Sequence, residues 1–471
     1  MITFGKMRRE KSLILLKILS LLKILSHSVA VLIACNIVFS SIYIFGSFLP
    51  QEKVIESLRV SQNNETLKTP LGSVYRASTG LGIDYGTECA AISIGLKDKS
   101  TENFSESLLK RFYDGYLITG QNIGVFDPCS GLLQLIDPSN QGLVEPDLSS
   151  YARNWWGMSI FIQAGILLFG LATTKIYIYI ALLISVLYFY FIFSKFTGDN
   201  VIGILLLFPF LFFGDFQELH NSFPFALLTI EVFVSAILVI NLFKKNQLSN
   251  HSLLYLAITL GSTYNFIFWL NFHLVLTFVP IVMFLALFGK KEILEIYTKV
   301  IFFLIGYIFG FISTAVIKWA LSSLIYGEEI VETIRRALDL RLSSGSNGLN
   351  ANLLEYGSFF NGFPLAIKAS FINLMVFASK LIDPRYASKT GLVLFLLFLS
   401  IILFLIYKYK VFNIFLTTEY FAVIPIFLIP FIYFALTPNH SFNHAVLTYR
   451  AIPLVFGFLL SFLFMNNKKR R

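Results

Sequence analysis

Apolar runs long enough to cross a bilayer recur along most of this chain, near 28–49, 157–173, 176–194, 222–243, 252–270, 272–288, 300–324, 390–406, 412–436 and 450–465. A membrane helix needs roughly 20 mostly apolar residues, and each of these runs approaches that length. Two further stretches fit less well. Residues 201–213 are short for a span, and 366–382 carry Lys368 and Lys380 and read as amphipathic. One long polar interruption, 50–156, follows the first run.

Charge decides the ambiguous cases. Basic clusters stand at the N-terminus, at Lys244-Lys245, Lys290-Lys291, Lys408/Lys410 and at Lys468-Lys469-Arg470-Arg471. The positive-inside rule puts all of them in the cytoplasm if 201–213 dips into the membrane and returns while 366–382 lies in the interface. The predicted fold is therefore an all-α polytopic membrane protein with about ten crossings, a re-entrant and an interfacial segment, and a long first extracytoplasmic loop. Its parts are a cytoplasmic basic N-terminus (1–27), a first transmembrane helix (28–49), the extracytoplasmic loop (50–156), a multi-helix membrane domain (157–465) with an external segment at 325–389, and a basic cytoplasmic tail (466–471). The first run is too long for a cleaved signal and reads as a signal anchor.

Composition agrees: 56% of residues are hydrophobic, 14% are charged and the mean hydropathy is +0.73. The formal charge of +10 falls in short clusters between apolar runs, which argues against nucleic acid as a partner. The polar loop holds 13 of the 27 acidic residues and two of the three cysteines, Cys89 and Cys129. Outside the cell these two suit a disulfide, with unpaired thiols the alternative.

Candidate chemistry gathers on the predicted outer face. Asp84 and Glu88 are four apart, which on a helix puts both carboxylates on one side, although Gly82 and Gly86 allow a turn. A carboxylate there suits a general base. Arg153 lies in Tyr151-Ala-Arg-Asn-Trp-Trp-Gly157, where paired tryptophans serve as interfacial anchors and the guanidinium suits a phosphate. Lys318 either snorkels to the interface or makes a second phosphate contact. His440, His444 and Arg450 precede the last span, as an anion-binding set or a plain polar turn. Asp215, Glu218 and His220 form a compact polar cluster, and Glu231 is an acid well inside a span, the usual mark of a polar pairing or of proton coupling.

The layout resembles the GT-C superfamily of polytopic membrane glycosyltransferases: one span, a long external loop bearing acids, then many helices. The segments Tyr151–Gly157 and His440–Arg450 also resemble uncharacterised multispan proteins of bacterial surface-polysaccharide loci. The resemblance implies a membrane enzyme, in a bacterial plasma membrane, that transfers sugar from a polyprenyl-phosphate donor to a glycan or lipid acceptor on the extracytoplasmic face. Under it Asp84 is the general base and Glu88 its companion, orienting the acceptor or helping with a metal. Three residues separate these acids where many members have adjacent ones, so no cofactor is fixed and a divalent cation stays open. Arg153, Lys318, His440, His444 and Arg450 would hold the lipid phosphate. The other reading is a transporter, flippase or polymerase of surface polysaccharide.

Overall fold

The computed structural model describes residues 2–63, 88–89, 91–92, 96, 116–119, 132, 136, 147–150, 155, 157–214, 216, 219, 222–245, 249–267, 272–326, 331–332, 334–335, 338, 364–380, 400, 423–443 and 448–470. These residues are overwhelmingly helical, as the apolar pattern predicts. The exception is a short antiparallel pair in the first loop, β1 (Tyr116–Thr119) with β2 (Asp147–Ser150). The helices are α1 (Ile2–Ser47), α2 (Gln51–Asn63), α3 (Gly157–Phe169), α4 (Leu171–Thr197), α5 (Asn200–Phe213), α6 (Phe223–Lys244), α7 (Asn250–Ile267), α8 (His273–Leu287), α9 (Ile293–Tyr326), α10 (Leu365–Lys380), α11 (Ile424–Leu436), α12 (Pro438–Asn443) and α13 (Ala451–Arg470). Five of them, α1, α4, α6, α9 and α13, are long and apolar enough to cross a membrane.

The bundle has two chemically distinct ends. At the basic end, Lys290 donates from Nζ to the Phe196 carbonyl at 2.7 Å, and Lys468 pairs with Asp199 at 2.8 Å. Phe196 also meets Phe243, which brings the last turns of α4 and α6 together. At the opposite end, here the loop end, lie the last turns of α1, α7 and α9 and the first turns of α4, α6, α8 and α13.

The apolar helices α3 and α5 are shorter than a membrane span. The run 157–173 was expected to cross; its helix within that run, α3, packs at the loop end. Its neighbours from start to finish are Tyr43 and Gly46 of α1, Phe266 of α7, Ser57 of α2 and Thr174 in the first turn of α4. The chain then turns at Gly170, whose φ of 78° favours glycine, and α4 runs to the basic end. The run 201–213 was expected to dip and return; its helix, α5, packs antiparallel along α13. Asp199 caps its start beside Lys468, Ser461 donates to the Ile202 carbonyl, Gly457 abuts Leu206, and Phe213 reaches Phe377, itself packed on Phe456.

The stretch 366–382 was expected in the interface. Its described part, α10, buries Ala369, Ile372, Val376 and Phe377 against Tyr433, Phe434, Tyr449 and Ile452. The tightest seam joins α7 and α9, which run parallel. A Cβ on Gly261 would lie 2.0 Å from the Tyr307 carbonyl oxygen, and one on Gly310 2.2 Å from that of Ile258. Gly306 and Gly310 form the small-residue spacing that lets membrane helices approach backbone to backbone.

The first loop is docked on the bundle rather than hanging from it. Ile92, Leu96, Leu132 and Ile136 are fully buried in one core with Val54 and Leu58 of α2 and Ile162 and Ile166 of α3. Gln163 donates to the Ile92 carbonyl, and Arg59 to that of Ile136. Cys89 is disulfide-bonded and Cys35 carries a free thiol, while Cys129 lies outside the described residues.

Candidate functional site

The loop end gathers buried charge from four separate parts of the sequence. Glu88, in the docked loop, is buried and pairs with Lys175 in the first turns of α4, Nζ to Oε1 2.5 Å. Its other oxygen, Oε2, is buried with no hydrogen-bond partner among the described residues. Burial pushes the Glu88 carboxyl above its ordinary range, and the Lys175 charge and hydrogen bond pull back against it. Nothing in the spacing of Asp84 and Glu88 announced Lys175. The available signal was a lysine in the short gap between two apolar runs, away from every basic cluster.

Lys175 also sits over the Phe223 ring, 5.6 Å from its centroid, while the Arg450 guanidinium lies 4.8 Å from the centroid of Phe225. Both rings belong to the first turn of α6, so the first loop and the segment before α13 meet at one helix start. Arg450 is 97% removed from solvent, at 3% exposure.

A polar network holds the Arg450 corner. His273, at the start of α8, donates from Nε2 to the Thr448 carbonyl at 3.0 Å, an assignment that follows because a carbonyl only accepts. Thr448 donates to Asn373 Oδ1 at 2.7 Å, and Asn373 donates to the Ser441 carbonyl at 3.0 Å. Thus α8, α10, α12 and the start of α13 are tied by side chains between the segments that carry His440 and Arg450. His440 is buried beside Ser441. His273 and Asn373 were not singled out from the sequence, since a lone histidine or asparagine in an apolar run gives no sign of its partner.

Lys318 occupies an aromatic cage. Its Nζ lies 5.0 Å from the Trp155 ring centroid and 5.7 Å from that of Tyr43, and the residue is 1% exposed. Tyr43 donates to the Trp155 carbonyl at 2.9 Å, and Trp155 donates to that of Thr314 at 3.3 Å. Phe266 stacks on Phe39 at 4.3 Å and closes the cage floor. Simple snorkelling is therefore not how this lysine is accommodated; a desolvated ammonium on two ring faces is. Trp155, expected as an interfacial anchor, is 2% exposed and works as the cage wall.

Asp84, Arg153 and His444 lie outside the described residues, as do Asp215, Glu218 and His220. Of the seven expected site residues, Glu88, Lys318, His440 and Arg450 are described, and all four belong to the loop end. The Lys318 cage and the Glu88–Lys175 pair stand at opposite ends of α3, a helix about 20 Å long at 1.5 Å per residue. Among the described residues no group of three or more His, Cys, Asp or Glu side chains is placed to hold a metal. No protein family, curated protein or solved structure matches this chain, so the chemistry of the loop end rests on its own residues.

Proposed function

We propose that this chain is an integral membrane glycosyltransferase of the GT-C kind, using a polyprenyl-phosphate sugar and a glycan or lipid acceptor at the extracytoplasmic face. The observation that carries the reading is the burial of Glu88, Lys318 and Arg450, with Lys175 paired to Glu88, at one end of an apolar bundle. A lipid-linked donor brings its own leaving group, so the protein needs no nucleotide fold. It needs a base for the acceptor hydroxyl, cations for the departing phosphate, and a seam open to lipid. In this scheme Asp84 is the base. Glu88, paired to Lys175, is a positioning residue that fixes the loop four residues beyond Asp84. Arg450 carries the phosphate charge, Lys318 meets another part of the lipid-linked substrate, Arg153, His440 and His444 are further contacts, and a divalent cation stays open.

The test is glycan formation in membranes from cells carrying Asp84→Asn. Removing a general base lowers turnover by about 10²–10⁴-fold. Arg450→Gln should raise KM for the lipid donor more than it lowers kcat. Normal product from Asp84→Asn at normal protein level would overturn the assignment. Glu231, an acid inside a membrane-length helix, favours a second reading as a transporter or flippase of the same lipid-linked substrate. Substrate translocation without a new glycosidic bond would decide for it.

A further inference from the structure

Glu231 lies in α6, eight residues beyond Phe223 and so about 12 Å along the helix from the Lys175 contact. It is buried, and neither Oε1 nor Oε2 has a hydrogen-bond partner among the described residues. The same is true of the Tyr307 hydroxyl on α9 and of Ser235 one turn further along α6. Tyr264 of α7 and Tyr307 of α9, whose rings meet at 6.2 Å, lie within electrostatic reach of the Glu231 carboxyl. The Lys175 and Arg450 cations lie over Phe223 and Phe225, in the first turn of α6.

An ionised carboxylate in this place would present acceptor sites to an apolar interior with no donor on them, which strongly disfavours the charged form. A protonated carboxyl both donates and accepts, and so does a phenol. We propose that Glu231 is a proton-binding site inside the bundle. The site is independent of glycosyl transfer and holds equally for a transporter.

The experiment uses the full chain in phosphatidylcholine vesicles and infrared difference spectra after a pH jump. The carbonyl band of a protonated carboxylic acid should be present in the wild type at neutral pH and lost in Glu231→Gln. Tyr307→Phe should shift the band without removing it. Identical spectra for wild type and Glu231→Gln would overturn the proton site. Should Glu231→Gln fail to fold, carbodiimide labelling of the wild type, read by mass spectrometry of the Glu231 peptide, decides instead: an unlabelled Glu231 overturns the proposal.

Discussion

Lys318 at the loop end of this bundle and Lys468 at the basic end live in different solvents. Lys318 is 1% exposed between two aromatic rings. The Lys468 side chain is 65% exposed beside Asp199, and that of Lys291 48% exposed beside Glu295. One residue type is thus used in two ways. Exposed lysines set sidedness through their number, and little depends on any one pairing. Buried lysines have been desolvated, so each needs a particular partner: Lys318 has its two rings, and Lys299, 8% exposed near the basic end, has Glu295.

The comparison breaks most readily at the Glu88–Lys175 pair. Lys175→Met alone strands a buried carboxylate and should cost about 3–5 kcal/mol, whereas Lys175→Met with Glu88→Leu should recover much of that loss. Unfolding in detergent, run as a double-mutant cycle, measures it; additive single effects would mean the pair is solvated. Lys318→Met comes next. It gives up a desolvated cation–π contact worth about 2 kcal/mol and refills the cage with apolar volume, so lipid-donor binding should fall more than thermal stability does. At the basic end Asp199→Ala removes a cap on Val201 N and an exposed ion pair together, for roughly 0.5–2 kcal/mol. Lys291→Gln should stay within about 0.5 kcal/mol.

Acid should separate the ends by sign. The hydrogen bond from Lys468 holds the Asp199 carboxyl below its ordinary range. Its contribution is therefore present above about pH 4 and is lost as the pH falls through the lowered folded value. Glu88 is shifted the other way by burial. The folded state then binds its proton more readily than the unfolded chain, and its contribution is lost as pH rises through the raised folded value. The stability advantage of the wild type over Asp199→Asn should shrink on acidification, and that over Glu88→Gln should grow. Matching slopes in the two titrations would show that Glu88 is not desolvated.

Much of the bundle was legible in the residues. The apolar runs mark α1, α4, α6, α7, α8, α9 and α13, and the basic clusters mark which helix ends belong together. Glu88, Lys318, His440 and Arg450 were visible as charges out of keeping with their surroundings. Two things were not. The pairing of Lys175 with Glu88 needs the loop folded back on α4, which no local pattern specifies. Gly306 and Gly310 show their spacing in the sequence, but the partner, Gly261 on α7, does not follow from it.

The sequence by itself determined that this chain is built of apolar helices and that one polar loop stands apart. These are properties of transfer free energy, summed locally along the chain. Only the tertiary structure decided that α5 packs along α13, that Glu88 meets Lys175, and that Trp155 and Tyr43 enclose Lys318. Desolvated charges need partners in three dimensions, and the partners of Glu88 and Lys318 are 87 or more residues away in the chain.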